Sequence, residues 1–503
     1  MEQFDVLIIG AGLSGVAAAR YLKRKCPGKT FALLETKARI GGTWELFKYP
    51  GIRSDSDMHT MGYAFRPWRN PKSIADGASI RNYIEETAAE EGITPLIRFN
   101  HKVIDASWSS DHGAWTLTVD ANGQRQQMRA NFVFSCAGYY RHDAGYLPKW
   151  DGYETYKGTL IHPQFWPQDF DQTGKRIIVI GSGATAVTLT PVLSEKAAHV
   201  TQLQRSPSYV VTRPAEDAQA KKLRKFLPES LVYRIVRWRN ILYGRVVAKR
   251  IAKNLEGAKR MLIGMVRAQL GPDYDVKKHF TPRYMPWEQR ICMVPDGDMF
   301  KAIRSGRVTM VTDEIDRLTE TGILTKSGEH IEADAIVTAT GLELQFMGGV
   351  NLTVDEQAID PAKLLIYKGF MYSNVPNLIY FTGYTNSSWT LKVDLVAEFA
   401  CRILNRMQSK GARQAVAVAS DDLFLKPKPW SSFTSGYVVR AAQRLPKLSG
   451  EFPWKHEQNY FWDRRVFRYG KIEDGTLQLT GLHRIELPPA QRADAPPEQI
   501  AAE

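Results

Sequence analysis

The sequence predicts an α/β protein in which two units of strand, glycine turn and helix are joined by an inserted run of basic helices. Three observations carry that expectation. Phe4 to Gly10 is a short apolar run that stops at glycine and opens into the helical stretch Ser14 to Leu22. Arg176 to Ile180, followed by the turn Gly181 to Ala186, repeats the pattern later in the chain. Between Lys221 and Arg267 stand fourteen Lys or Arg against two acids, Glu229 and Glu256.

Each element follows in order. Phe31 to Glu35 supplies a second strand at the distance a β-α-β crossover requires, and Val200 to Gln204 does the same for the second unit. Residues 130 to 138, 334 to 341 and 377 to 383 are further apolar runs ending in glycine. In the basic segment Leu231, Val232, Ile235, Val236, Ile241, Leu242, Val246 and Val247 recur at helical spacing and predict amphipathic helices. The expected divisions are 1–150 and 335–490 for the first unit, 151–212 and 281–334 for the second, 213–280 for the helical insertion and 491–503 for a loose tail.

A chain of 503 residues with 44% hydrophobic and 24% charged residues has ordinary globular composition and the size of an enzyme. Cys26, Cys136, Cys292 and Cys401 lie far apart, which gives no zinc spacing and no close dithiol, so neither a metal site nor disulfide exchange is expected. Without an apolar leader at the N-terminus or a run of roughly 18 apolar residues, the expected location is cytoplasmic, with membrane contact only peripheral. The net charge of +14 sits almost wholly in residues 221–267. Such a local field offers two readings, a solvated face over the substrate entrance or attachment to anionic lipid. No nucleic-acid recognition motif accompanies it.

Gly10-Ala-Gly12-Leu-Ser14-Gly15 follows a strand and opens a helix, the context in which this pattern binds a dinucleotide in a Rossmann-like domain. Gly10 permits the tight turn, Gly12 the approach of a pyrophosphate and Gly15 close helix packing, while Glu35 at the end of the next strand can accept from a ribose diol. Ile40-Gly-Gly-Thr43-Trp44 then sets flexible glycines against an aromatic plane, which suits a large flat ring such as that of FAD. At the second turn, Gly181-Ser182-Gly183-Ala184-Thr185-Ala186, the strand ends in Gln204-Arg205-Ser206 instead of an acid. A guanidinium pairs with a ribose 2′-phosphate that a carboxylate would repel, so NADPH is expected there, the alternative being a surface arginine. A nicotinamide site beside a flavin site implies hydride transfer between them, and the missing dithiol favours oxygen over a disulfide as the next acceptor.

Just before the second turn, Tyr156-Lys-Gly158-Thr-Leu-Ile-His162-Pro-Gln-Phe-Trp166-Pro167 resembles the Phe-x-Gly-x-x-x-His-x-x-x-Trp-Pro/Asp fingerprint of type I Baeyer-Villiger monooxygenases, departing at Tyr156. Related N- and S-oxygenating flavin monooxygenases end it in Tyr-Lys, which Trp166-Pro167 does not match. Asp334 and Ala339-Thr-Gly341 resemble that group's second pattern, and within the group the chain is similar to the ethionamide-activating type over about residues 4 to 475. Supporting segments are Gly138 to Tyr140, Pro286 to Asp298 and Gly383 to Lys392.

The resemblance implies FAD contacts at Ser14, Glu35, Thr43, Trp44, Glu45, Leu46, Asp55 and Val103. It implies NADPH contacts at Arg53, Ser54, Asp55, Gly181, Ser182, Gly183, Ala184, Thr185, Ala186, Val187, Arg205 and Ser206. Arg290 matches the active-site arginine, expected to stabilise a C4a-peroxyflavin and its adduct with a ketone, while Asp55 orients it. Several members carry a lysine directly before that arginine, whereas this chain has Gln289, which loosens the expected preference for NADPH. His162 is expected at the junction of the nucleotide units, not as a base. The implied activity converts small lipophilic ketones to esters or lactones with O2, with sulfoxidation alongside. The alternatives are a flavin monooxygenase acting mainly on N or S and, outside catalysis, a membrane-associated nucleotide sensor.

Overall fold

A computed structural model describes residues 1–424 and 426–492. The first sheet has nine strands. At its centre Glu2–Ile9 runs parallel to Phe31–Glu35 on one side and to Gln124–Ser135 on the other. Val6, Leu7 and Ile8 are wholly buried because helices or chain cover both faces, which is why this strand reads as a continuous apolar run. Helix Leu13–Lys25 follows it and packs on the long helix Trp389–Lys410.

The second sheet has five parallel strands in the order Val308–Thr312, His199–Gln204, Arg176–Ile180, Ala335–Thr338 and Thr159–Ile161. Both expected strand, turn and helix starts are present, the second continuing into helix Ala184–Leu193. The division expected at 334/335 needs correction. Ala335–Thr338 pairs with Arg176–Ile180 and Thr159–Ile161, so it belongs to the second sheet. A glycine-ended apolar strand has the same appearance in either sheet, and the pattern does not encode its partner.

The insertion is helical, built from Ala218–Leu223, Glu229–Lys253, Leu255–Leu270 and Val276–Phe280. It bridges the two units instead of standing apart from them. Tyr233 joins the core of the first unit and Ile241 packs with Tyr384 and Leu391, whereas Val266, Leu270, Val276 and Phe280 are in the core of the second. The expected division at residue 280 therefore cuts through a core. Arg237 fastens the long helix: its buried Nη1 donates to the carbonyls of His59, Thr60 and Gly62 at 2.9, 3.0 and 2.8 Å. On the outer face Leu242, Tyr243 and Val246 remain about half exposed among the basic residues. Among the described residues no helix is long and apolar enough to cross a membrane.

The tail expected from 491 lies outside the described residues from 493 on. Gln491 itself is buried and donates to the Ser373 carbonyl at 2.8 Å, so the packed chain extends beyond the expected boundary.

Candidate active site

The first glycine turn is closed in by its own chain. Gly10 has φ +97° and lies so near Cys136 that a Cβ would come within 2.7 Å of the Cys136 carbonyl oxygen. Ala11 N–H donates to Glu35 Oε2 at 2.8 Å and Lys37 N–H to Oε1 at 2.9 Å, which fixes the carboxylate beside the turn. Burial pushes the Glu35 carboxyl up, and these two donors only partly offset it. From the other side the loop at Gly41 and Gly42 folds over the turn, and a Cβ on Gly12 would stand 3.1 Å from the Gly42 Cα. That loop leads into the short helix Thr43–Leu46, where Glu45 pairs with Lys48 at 2.7 Å and Arg81 at 3.2 Å. Ser14 Oγ accepts from Trp389 Nε1 at 2.8 Å. The side chain of Val103 is committed to the sheet core.

The second turn is open. Gly181 has φ +133° and backs onto Ala339. The Gln202 side-chain amide donates to the Gly181 carbonyl at 3.0 Å and holds it, yet a Cβ on Gly183 would meet nothing within 4 Å. Arg205 is exposed where strand His199–Gln204 ends, with Ser206 beside it. The residue types fit a dinucleotide at both turns: free approach to Gly183 and an exposed guanidinium at one, paired glycine loops and a carboxylate fixed beside the turn at the other. His162 lies in a small pocket shared with Phe47, Tyr49 and Thr185, between the two units. Its Nδ1 accepts from Gln164 N–H at 3.2 Å, and burial pushes the imidazole down.

Asp55 and Arg290, 235 residues apart in sequence, meet at this junction with Arg290 Nη1 donating to Asp55 Oδ2 at 3.3 Å. Burial opposes the charge on Arg290, but neighbouring Tyr139, Asp55, Tyr437 and Tyr140 outweigh it and hold the guanidinium well above its ordinary value. Its buried Nε has no hydrogen-bond partner among the described residues. Arg53 is tied to Asp298 across the two units. Gln289 reaches Thr434 at 3.4 Å. Ser54 is buried, its hydroxyl donating to the Ser56 carbonyl at 2.6 Å.

Four residues at the site had no assigned role in the sequence reading. Tyr139, Tyr140 and Trp389 lie in segments singled out above for their resemblance, so a signal existed for them. Tyr437 carried none.

Residues 4–408 match the flavin-binding monooxygenase-like family. The FAD-containing monooxygenase EthA of Mycobacterium tuberculosis is 49% identical over 479 residues, covering 95% of this chain and 98% of that protein. The probable FAD-binding monooxygenase AlmA of Acinetobacter baylyi is 43% identical over 480 residues, 95% of this chain and 96% of that one. An oxidized steroid monooxygenase bound to NADP has the same fold, with a TM-score of 0.77 at 20% identity over 95% of this chain and 100% of its own. An open cyclohexanone monooxygenase gives 0.77 at 18% identity over 96% and 100%. The α/β architecture with two Rossmann-like units is thus the expected one, and nothing favours the non-catalytic sensor. From its sequence, this chain belongs to the flavin-binding monooxygenase-like family.

Proposed function

We propose that the protein is a monooxygenase that uses NADPH and O2 to convert lipophilic ketones to esters or lactones, with sulfoxidation as a side activity. FAD is held by Gly10 to Gly15, Glu35 and Thr43 to Leu46, and NADPH by Gly181 to Val187 with Arg205 and Ser206 toward the 2′-phosphate. Bound FAD supplies electron transfer from NADPH and activation of oxygen.

The rest falls to the chain's own groups. Adding oxygen to a carbonyl leaves negative charge on the former carbonyl oxygen, and a fixed cation placed there lowers the barrier. Arg290 suits that role because a guanidinium keeps its proton at any working pH. Asp55 accepts one of its N–H groups and sets its direction. Tyr139, Tyr140 and Tyr437 stand near the guanidinium, whose side chain keeps 35% of its surface open to solvent. His162 is a poor base, with its acceptor nitrogen already engaged by Gln164.

The observation that carries the proposal is the Asp55–Arg290 pair at the junction of two glycine-turn sites. Arg290→Ala is expected to lower ester formation by about two to three decades, the equivalent of roughly 2.7–4 kcal/mol. Anaerobic reduction of the flavin by NADPH, followed in the same variant by absorbance, should persist. Full ester formation by the variant would overturn the assignment. Oxygenation confined to sulfides or amines in the wild type would favour the reading as an N- or S-oxygenase.

The exposed Leu242, Tyr243 and Val246 among basic residues of helix Glu229–Lys253 favour peripheral contact with anionic lipid. Sedimentation with anionic vesicles should be strong at low salt and lost at high salt, and absence of binding at low salt would contradict it.

A further inference from the structure

Beside the first turn of helix Trp389–Lys410 lies a pocket of about 560 Å³, a volume that includes its mouth, open to solvent. Phe346, Tyr372, Trp430 and Leu445 make its wall largely apolar. Lys392 lines the same space although it is only 1% exposed. The fold makes room for it at Gly369, which has φ +78° and would bring a Cβ within 2.3 Å of Lys392 Nζ. Any side chain at 369 would compete for the lysine's position.

Among the described residues this ammonium has one ion-pair partner, and a long one. Asp463 Oδ2 is 3.9 Å away and already accepts the Tyr384 hydroxyl at 2.8 Å. No hydrogen bond from Lys392 Nζ is made to any described residue. Several other polar groups in or near the wall are engaged: His456 Nε2 with the Trp430 carbonyl at 2.9 Å, Gln458 with His456 Nδ1 at 2.5 Å and with Thr385 N–H at 3.0 Å, and Lys368 with Asp474 at 2.7 Å; the buried Trp430 Nε1 is a second donor without a partner among the described residues. Burial pushes His456 down to about 4, so it adds no positive charge at neutral pH. Burial also pushes Lys392 down, against the pull of Asp463. A buried cation with a single long ion pair and no hydrogen bond is incompletely compensated, and an arriving anion adds to that compensation. Tyr139 lines this pocket and is also an electrostatic neighbour of Arg290, so the pocket lies beside the proposed reaction centre.

We propose that Lys392 is a specificity residue that binds the carboxylate of a substrate whose apolar body fills this pocket, so that the preferred substrates are ketones carrying an acid group on an aliphatic or aromatic chain. The proposal rests on the monooxygenase reading for the oxidation, but not for the binding.

The test uses the flavin-loaded enzyme with a medium-chain oxo-carboxylic acid, its methyl ester, and the corresponding saturated fatty acid, which contains no ketone. The wild type is expected to prefer the acid to the ester by about tenfold or more in kcat/KM, the scale of one hydrogen bond to a charged group. That ratio should fall about tenfold in Lys392→Met, through KM, and recover in part in Lys392→Arg. Calorimetry should show the saturated acid binding the wild type, with binding weakened in Lys392→Met. Equal use of acid and ester by the wild type, or an acid-to-ester ratio unchanged in Lys392→Met, would overturn the proposal. If the methionine variant does not fold, the wild-type acid-to-ester ratio and saturated-acid binding still decide. Lysine-dependent binding of the saturated acid without oxidation of any ketone would uphold the pocket and defeat the ketone-oxygenating reading.

Discussion

At the first glycine turn a Cβ on Gly12 would stand 3.1 Å from the main chain of Gly42, whereas at the second a Cβ on Gly183 would meet nothing within 4 Å. The acidic residue of the first site, Glu35, is 4% exposed and held by two main-chain N–H groups, while Arg205 of the second projects into solvent. Nearly the same local sequence has been folded into two kinds of site. The first is closed in by main chain, as the proposed site of a tightly held flavin would be. The second is open at Gly183, as the proposed site of an exchanging nicotinamide nucleotide would be. The difference comes from distant chain, namely the Gly41–Gly42 loop and helix Trp389–Lys410, and not from the turns themselves.

Substitution can break this contrast. Gly12→Ala presses a methyl group against main chain that has little room to move, at a cost of about 1–3 kcal/mol. Flavin affinity should fall by roughly ten- to a hundredfold, read from the absorbance retained after gel filtration. Arg205→Ala removes an exposed guanidinium with no described ion pair and should leave flavin content intact. Its expected effect is a rise of about tenfold in KM for NADPH with little change for NADH, measured by steady-state kinetics. An equal rise for both nucleotides would show that Arg205 does not meet the 2′-phosphate. Gly183→Ala fills open space at a helix N-cap with φ −81° and should cost only about 0.5 kcal/mol, seen in thermal melting, with an effect of a few fold on KM for NADPH. Loss of flavin from that variant would erase the distinction between the sites.

Much of this architecture was legible because its signals are local. A buried parallel strand must be apolar throughout, and a turn against main chain must be glycine, so Phe4 to Gly15 and Arg176 to Ala186 announce themselves. What was missed depends on contacts between distant segments. The sheet to which Ala335–Thr338 belongs is decided by pairing, which the strand's own residues do not encode. Val266 and Phe280 show helical spacing but not which core receives them. Arg290 was legible only through resemblance, since its environment is assembled from Asp55, Tyr139 and Tyr437. Lys392 in an amphipathic helix would ordinarily face water. Its burial follows from the space left at Gly369 and from Asp463 arriving on helix Tyr460–Tyr469.

The proposed carbonyl oxygenation is tested most directly by giving the flavin-loaded enzyme NADPH, isotopically labelled dioxygen and a panel of ketones and sulfides, with products read by mass spectrometry. The expected result is esters or lactones from ketones, each with one labelled oxygen and one NADPH consumed. Products from sulfides alone, or NADPH consumption that yields only hydrogen peroxide across the ketone panel, would contradict it.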